Sequence, residues 1–313
     1  MSHRHHFSIT FEWEDLLSQG LGVPVVREKR YVRRKFYRLF PGLPTWLQTG
    51  RKSFAYEMSC IMNNRYNNKA NIVPNIIDFY VKDADLPIFC REYRNNPAVL
   101  ISSREAYERL IELGIGDKLP LHHCALSLSD QYRITADSHF EKFEDLILLG
   151  RPNPVLKEYL DIYTSKHPNF VWAEGRRQGD EVHVYNNKGE YLGPATTRDE
   201  YMRLMRRSRC ALYSLPGIDG DEDRTAGYSQ VTPRLLEFAA CGCNIIPRYR
   251  SHADTKYFGL DLLGPSIDSY EEFEAAMDRG RETTPDIKYY AEWLSKHYTS
   301  ERVKTIKSIL EQL

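Results

Sequence analysis

Short apolar runs alternate with longer amphipathic stretches along most of this chain, the pattern of strands and helices that build parallel sheets covered on both faces. From residue 76 onward the runs are clear. Residues 76–81 predict a strand, 86–93 a helix, 98–102 a strand, 104–113 a helix stopped by Gly114, and 121–126 a strand. After a polar stretch at 127–141 the alternation resumes with 145–149 (strand), 155–165 (helix), 170–173 (strand), 198–207 (helix) and 210–214 (strand). Thr232 and Pro233 then read as the N-cap and first residue of a helix over 234–240, with Gly242 as its stop and 244–247 as the next strand. The chain closes on helical periodicity at 268–279 and 285–313, the latter broken near 297–300. Before residue 76, residues 7–13 and 54–58 read as strands, and the segment between them takes no assignment. Two sheets accommodate this order better than one.

The chain has 313 residues, of which 42% are apolar, enough to fill two ordinary cores. No window approaches the roughly 18 consecutive apolar residues that cross a bilayer, and residues 1–7 lack the apolar stretch of a signal peptide, so a cytoplasmic location is expected. The six cysteines, Cys60, Cys90, Cys124, Cys210, Cys241 and Cys243, show no zinc-ligand spacing and read as reduced and packed. Forty-three basic residues balance forty-three acidic ones, which argues against a nucleic-acid partner. The balance is uneven along the chain: residues 1–140 carry 19 basic and 15 acidic side chains. Most of that excess sits at 27–38, where seven cations and one Glu28 interleave with Tyr31, Phe36 and Tyr37.

Several residues could carry chemistry. Glu237 falls in the apolar helix 234–240, where an unpaired charge costs several kcal/mol, so it either pairs with Arg234 one turn earlier or meets a ligand that donates hydroxyls. The helix start beyond Gly227-Tyr228-Ser229-Gln230-Val231 favours an anion. Gly150-Arg151 follows directly on a strand, where open α/β sheets hold ligands, and Arg151 suits a diphosphate or a solvated loop. His122 and His123 close the last strand of the first half and face a cleft or satisfy the core. Asp219-Gly220-Asp221-Glu222-Asp223 contains two overlapping D-x-D patterns, but it lacks the glycine and terminal glutamate of a calcium loop, so a solvated acidic loop is expected and no metal.

Together these segments resemble a known family. The run 98–105, the helix ending at Gly114 and the run 121–130 resemble the end of the N-terminal domain of GT-B glycosyltransferases. Leu148-Leu149-Gly150-Arg151 is similar to the opening of that family's donor domain, and 191–214 to its following strand, helix and strand. Val231-Thr232-Pro233-Arg234-Leu235-Leu236-Glu237 through Cys243 is similar to the nucleotide-sugar motif of family 4-like enzymes, in the variant of the spore-maturation-protein-like branch. The resemblance implies an α/β fold of GT-B type, with two Rossmann-like doubly wound domains facing a cleft. Residues 1–135 would bind the acceptor, 136–290 the nucleotide sugar, and 291–313 would form a C-terminal helix returning toward the first domain. It implies a hexosyltransferase-like enzyme that moves a sugar, with retention, from a nucleotide diphosphate sugar to the hydroxyl of a lipid or lipid-linked envelope glycan, without a metal or other cofactor. A catalytically inactive relative that only binds a nucleotide sugar or an envelope component is the alternative.

Carried over residue by residue, Glu237 would hold the ribose hydroxyls and Arg151 the diphosphate, with Gly150, Ser229, Val231, Thr232, Pro233 and Arg234 around the donor. Arg151, His123 and Asp219 are the expected catalytic residues. One departure stands out. The family's first motif glutamate, eight positions before Glu237, is Ser229 here, which leaves Asp219 as a replacement and puts retention in question.

The basic segment supplies the acceptor expectation. Arg30, Arg33, Arg34, Lys35 and Phe36 have the composition of a surface that meets anionic lipid headgroups at the inner face of the plasma membrane, and each cation near such a surface contributes about 1 kcal/mol. A nucleic-acid backbone or plain solvent would suit the same residues. Replacing Arg30, Arg33, Arg34 and Lys35 with serine is expected to abolish sedimentation with anionic liposomes at low salt while leaving nucleotide affinity intact. If the unaltered protein stays in the supernatant, the membrane reading is wrong.

Overall fold

The structure is a computed structural model that describes residues 9–25, 55–59, 72–150, 152–179, 181–220 and 222–313. The chain divides into two compact units. One comprises residues 1–13, 127–222 and 229–299, the other 14–126, 223–228 and 300–313. Both are α/β units of Rossmann-like type, in which parallel strands alternate with helices. Among the described residues, no helix is long and apolar enough to cross a membrane.

The smaller unit carries a four-stranded parallel sheet in the order β1 (Ala55–Ser59), β2 (Ile72–Ile76), β3 (Val99–Ile101) and β4 (Leu121–His123). The strand expected at 76–81 lies earlier, at Ile72–Ile76. Pro74 hid it, since proline removes a ladder donor, but the β3 ladder begins only at Asn75 and Ile76. Residues beyond the strand still bury: Phe79 and Val81 join Phe89 and Tyr93 of α2 (Leu86–Tyr93) and Leu110 of α3 (Arg104–Glu112) in one core. Tyr228, from the short segment 223–228, packs into that core edge-on to Phe79 at 5.6 Å.

The N-terminal residues expected as a strand instead begin helix α1 (Ile9–Leu21). Ile9, Phe11 and Trp13 alternate in the sequence, but among the described side chains of the helix the buried ones are Trp13 and Leu17, four apart, which is a helical spacing. The Trp13 indole Nε1 donates to the Ser127 carbonyl at 3.0 Å.

The larger unit holds a six-stranded sheet in the order β10-β9-β5-β6-β7-β8. Strands β5 (Glu144–Leu148), β6 (Trp172–Gln178), β9 (Ser208–Ser214) and β10 (Asn244–Arg248) are parallel, while β7 (Glu181–Asn186) and β8 (Tyr191–Pro194) extend β6 as an antiparallel meander. Helix α4 (Pro154–Lys166) follows β5. Asn153 caps it by accepting from the Val155 and Leu156 amides, and it buries Leu156, Leu160 and Tyr163 at helical spacing against Phe170, Ile246, Phe273 and Met277. Each such buried side chain contributes about 1.5–3 kcal/mol. Helix α5 (Arg198–Arg206) starts with a capping box between Thr197 and Glu200. After the one-turn helix α6 (Glu222–Thr225), helix α7 (Pro233–Ala240) ends at Gly242, whose φ of 62° and proximity to Phe140 leave no room for a Cβ. Helices α8 (Ala253–Phe258), α9 (Tyr270–Glu282), α10 (Ile287–Leu294) and α11 (Thr299–Leu310) complete the chain.

This strand order carries a functional consequence. The chain enters the sheet at β5, adds β6 on one side, then returns to build β9 and β10 on the other. The direction of winding reverses between β5 and β9, and the loops leaving their carboxyl ends splay apart there, which is where open α/β sheets bind ligands.

Candidate anion and nucleotide site

Gly150 leaves the carboxyl end of β5 with a φ of 94°, a conformation that favours glycine. A Cβ at this position would lie 2.5 Å from Arg234 Nη2 and 3.1 Å from its Cζ, so the guanidinium packs directly on the Gly150 backbone. Arg234 is the second residue of α7, behind Pro233. It is half-buried, and among the described residues it has no hydrogen-bond or carboxylate partner. A cation at a helix N-terminus opposes the helix dipole, which favours negative charge there. Cation and dipole therefore both call for an anion at the same point.

The approach to α7 is rigid. The Val231 amide donates to the carboxylate of Asp254, which is fully buried on α8, and the Thr232 amide donates to Tyr213 Oη at 3.0 Å. The Thr232 carbonyl accepts from the Leu235 amide at 3.1 Å. The amides of Val231 and Thr232 are thus already committed and Pro233 has none. Val231, Thr232 and Pro233 shape the site, and Arg234 supplies its charge.

Glu237 lies one turn further along α7 and is 5% exposed. Its cation is Arg198, not Arg234: Arg198 Nη2 sits 2.7 Å from Glu237 Oε1. Arg198 is the first residue of α5 and also lies 3.5 Å from Glu12 Oε2 through its Nε. Its guanidinium stands 5.7 Å from the ring of Tyr132 and 5.4 Å from that of Tyr201. Two carboxylates thus share one buried cation. Burial raises the Glu12 pKa against the opposing pull of Arg198, and burial with the nearby Glu237 charge holds the Tyr201 hydroxyl far above its usual value. The Tyr201 hydroxyl is itself buried without a hydrogen-bond partner among the described residues.

Asp219, in the loop after β9, has both carboxylate oxygens engaged. Arg248 Nε and Nη2 donate to Oδ2 and Oδ1 at 2.7 and 2.8 Å, and Asn153 Nδ2 donates to Oδ2 at 2.8 Å. These bonds pull its pKa below the usual carboxylate range. Asp219 thereby ties the loops after β5 and β9 to the end of β10, and a role at a donor sugar would require giving up that fork. Ser229 and Gln230 are buried in the approach to α7. Arg151 lies outside the described residues, as do Asp221 and the basic segment with Arg30, Arg33, Arg34, Lys35 and Phe36. Among the described residues no group of three or more His, Cys, Asp or Glu side chains is arranged to hold a metal ion.

His123 ends β4 in the smaller unit. Burial, with Arg104 and Arg302 adding to it, pushes its imidazole down to about 3, far from a value suited to proton transfer near neutral pH. His122 is shifted in the same direction by burial alone. The sequence reading missed Arg198, Glu12, Tyr201, Arg248 and Asp254. The capping box marks the start of α5, but no local signal says that its first side chain reaches α7.

No known family profile matches the chain, and no curated protein matches it. Solved structures do. Sucrose-phosphate synthase from Thermosynechococcus elongatus is 12% identical with a TM-score of 0.48, over 93% of this chain and 78% of that one. The N-terminal domain of trehalose-6-phosphate phosphatase from Candida albicans is 11% identical with a TM-score of 0.49, over 99% and 81%. The pneumococcal O-GlcNAc transferase GtfA, solved with UDP and GlcNAc, is 10% identical with a TM-score of 0.44, over 77% and 52%. Similarity at this level assigns no function.

The charge arrangement around Arg198 gives a direct expectation. Glu237→Gln leaves a buried guanidinium with half its compensation and is expected to lower the unfolding free energy by about 2–3 kcal/mol in urea titrations at neutral pH. An unchanged midpoint and slope would show that Glu237 is not the principal partner of Arg198.

Proposed function

We propose that the chain is a GT-B glycosyltransferase whose larger unit holds a nucleotide diphosphate sugar and whose reaction moves the sugar to an acceptor hydroxyl. The observation that carries this reading is the Arg234 guanidinium, packed on Gly150 beside the start of α7 with no partner among the described residues. It lies next to the reversal of the sheet, where a diphosphate would find both a fixed cation and a helix dipole. As the bond between sugar and diphosphate breaks, negative charge grows on the departing oxygens. A preorganised cation stabilises that charge without reorganising. Because Arg234 supplies the charge, with Arg151 beside Gly150 in the sequence, the proposal assigns no metal to the diphosphate. The finer parts are retention, a lipid or envelope-glycan acceptor, and a peripheral position at the membrane. They rest on the resemblance of residues 231–243 and on the basic segment at 27–38.

A second reading is a relative that binds nucleotide sugars without turning them over. Two observations favour it: Ser229 stands where the resembling enzymes carry glutamate, and Asp219 is held by Arg248 and Asn153.

A thermal-shift screen against UDP, GDP, ADP and CMP tests the donor site, since a nucleotide at a hundred times its Kd stabilises by about 2.7 kcal/mol. One diphosphate is expected to raise Tm, and Arg234→Ala is expected to weaken it at least tenfold in isothermal titration, the scale of a lost charge-assisted contact. No response to any of the four, or full affinity in Arg234→Ala, would overturn the proposal. Hydrolysis of the matching nucleotide sugar separates the enzyme from the silent binder. Turnover is expected to survive EDTA, and loss restored by manganese would move the diphosphate to the acidic loop.

A further inference from the structure

The meander β6-β7-β8 continues the sheet of the larger unit, and its two faces differ in composition. Val184 and Leu192 are buried on one face. The register sets Glu174 against Tyr185, Arg176 against His183, and Tyr185 against Tyr191, which brings these side chains together on the other. A register irregularity at Val184/Tyr185 places Tyr191 opposite Tyr185. The two phenol rings lie 5.2 Å apart at 43°, and the His183 ring lies 5.8 Å from Tyr191 at 38°, so three rings form a shallow curved platform. Tyr191 is 49% exposed.

The polar groups around the rings contact one another. Glu174 pairs with Arg176 at 3.4 Å and Glu181 approaches His183 Nε2 at 3.1 Å, while His183 Nδ1 and Tyr191 Oη share a contact at 3.1 Å. Arg176 also stands 5.5 Å from the Tyr185 ring. The platform thus offers aromatic faces, whose negative quadrupole attracts polarised C–H bonds, bordered by hydrogen-bonding groups that include the carboxylates of Glu174 and Glu181. Exposed Glu174 and Glu181 beside the rings would repel a phosphate-rich polymer. The complementary ligand is uncharged, with a flat C–H face and hydroxyls at its edge.

We propose that this face binds an uncharged glycan chain, with pyranose rings stacked on Tyr185 and Tyr191 and their hydroxyls met by Glu174, Arg176, Glu181 and His183. The inference concerns a surface apart from the donor site and needs no turnover for its test. In native affinity electrophoresis of the full chain, gels containing soluble dextran, mannan or xylan are expected to retard the protein in at least one case. Tyr185→Ala with Tyr191→Ala is expected to weaken that retardation about tenfold, the scale of lost aromatic contacts, whereas the double change to Phe, which keeps both rings, is expected to retain it. Glu237→Gln, altered at the other site, is expected to be retarded like the unaltered protein. Absence of retardation in all three gels would overturn the proposal. So would retardation that persists in the double alanine variant, or retention by an oligonucleotide in place of the glycans.

Discussion

A carboxylate inside an apolar helix must have a cation, and which cation it takes decides what the rest of the site can do. Glu237 and Arg234 are three residues apart on α7, close enough to pair along one helix. They do not, because Arg198 reaches in from the start of α5 to within 2.7 Å of Glu237. That choice leaves Arg234 uncommitted. Its guanidinium turns instead onto the Gly150 backbone, where the loop after β5 comes closest, and becomes a fixed positive group at a helix N-terminus. Had Arg234 neutralised Glu237, the same helix would present no charge to a ligand.

The surrounding contacts serve to hold that arrangement. Asp254 and Tyr213 take the amides of Val231 and Thr232, which fixes the entry to α7, and Asp219 with Arg248 and Asn153 fixes the loops at the reversal of the sheet. On the proposed reading, a site so anchored would lose little entropy on binding and present its charge to the diphosphate. Arg198 and Arg248 are thus paired with carboxylates of the fold, and on the proposed reading Arg234 is the cation that meets the ligand.

Much of this fold was legible because its signals are local. The Asn153-Pro154 start of α4, the Thr197 to Glu200 capping box of α5 and the Thr232-Pro233 to Gly242 frame of α7 each state their element in a few residues. What failed was local evidence that pointed the wrong way. Pro74 masked β2, alternating Ile9, Phe11 and Trp13 mimicked a strand at the start of α1, and β7 was overlooked although Val182 and Val184 alternate between turns at Gly179 and Gly189, while β8 was read only through the resemblance at 191–193. The candidate site was legible only as a motif. Glu237 stands out as a charge in an apolar run, but its partner lies 39 positions upstream on another helix, and pairing across that distance leaves no trace in spacing.

The most direct test of this account is a crystal structure of the protein with the nucleoside diphosphate that stabilises it most. The account places a diphosphate oxygen within about 3 Å of the Arg234 guanidinium at the carboxyl end of β5, a charge-assisted contact distance, while the pair between Arg198 and Glu237 stays intact. A diphosphate bound elsewhere, or an Arg234 that swings away to pair with a protein carboxylate, would contradict it.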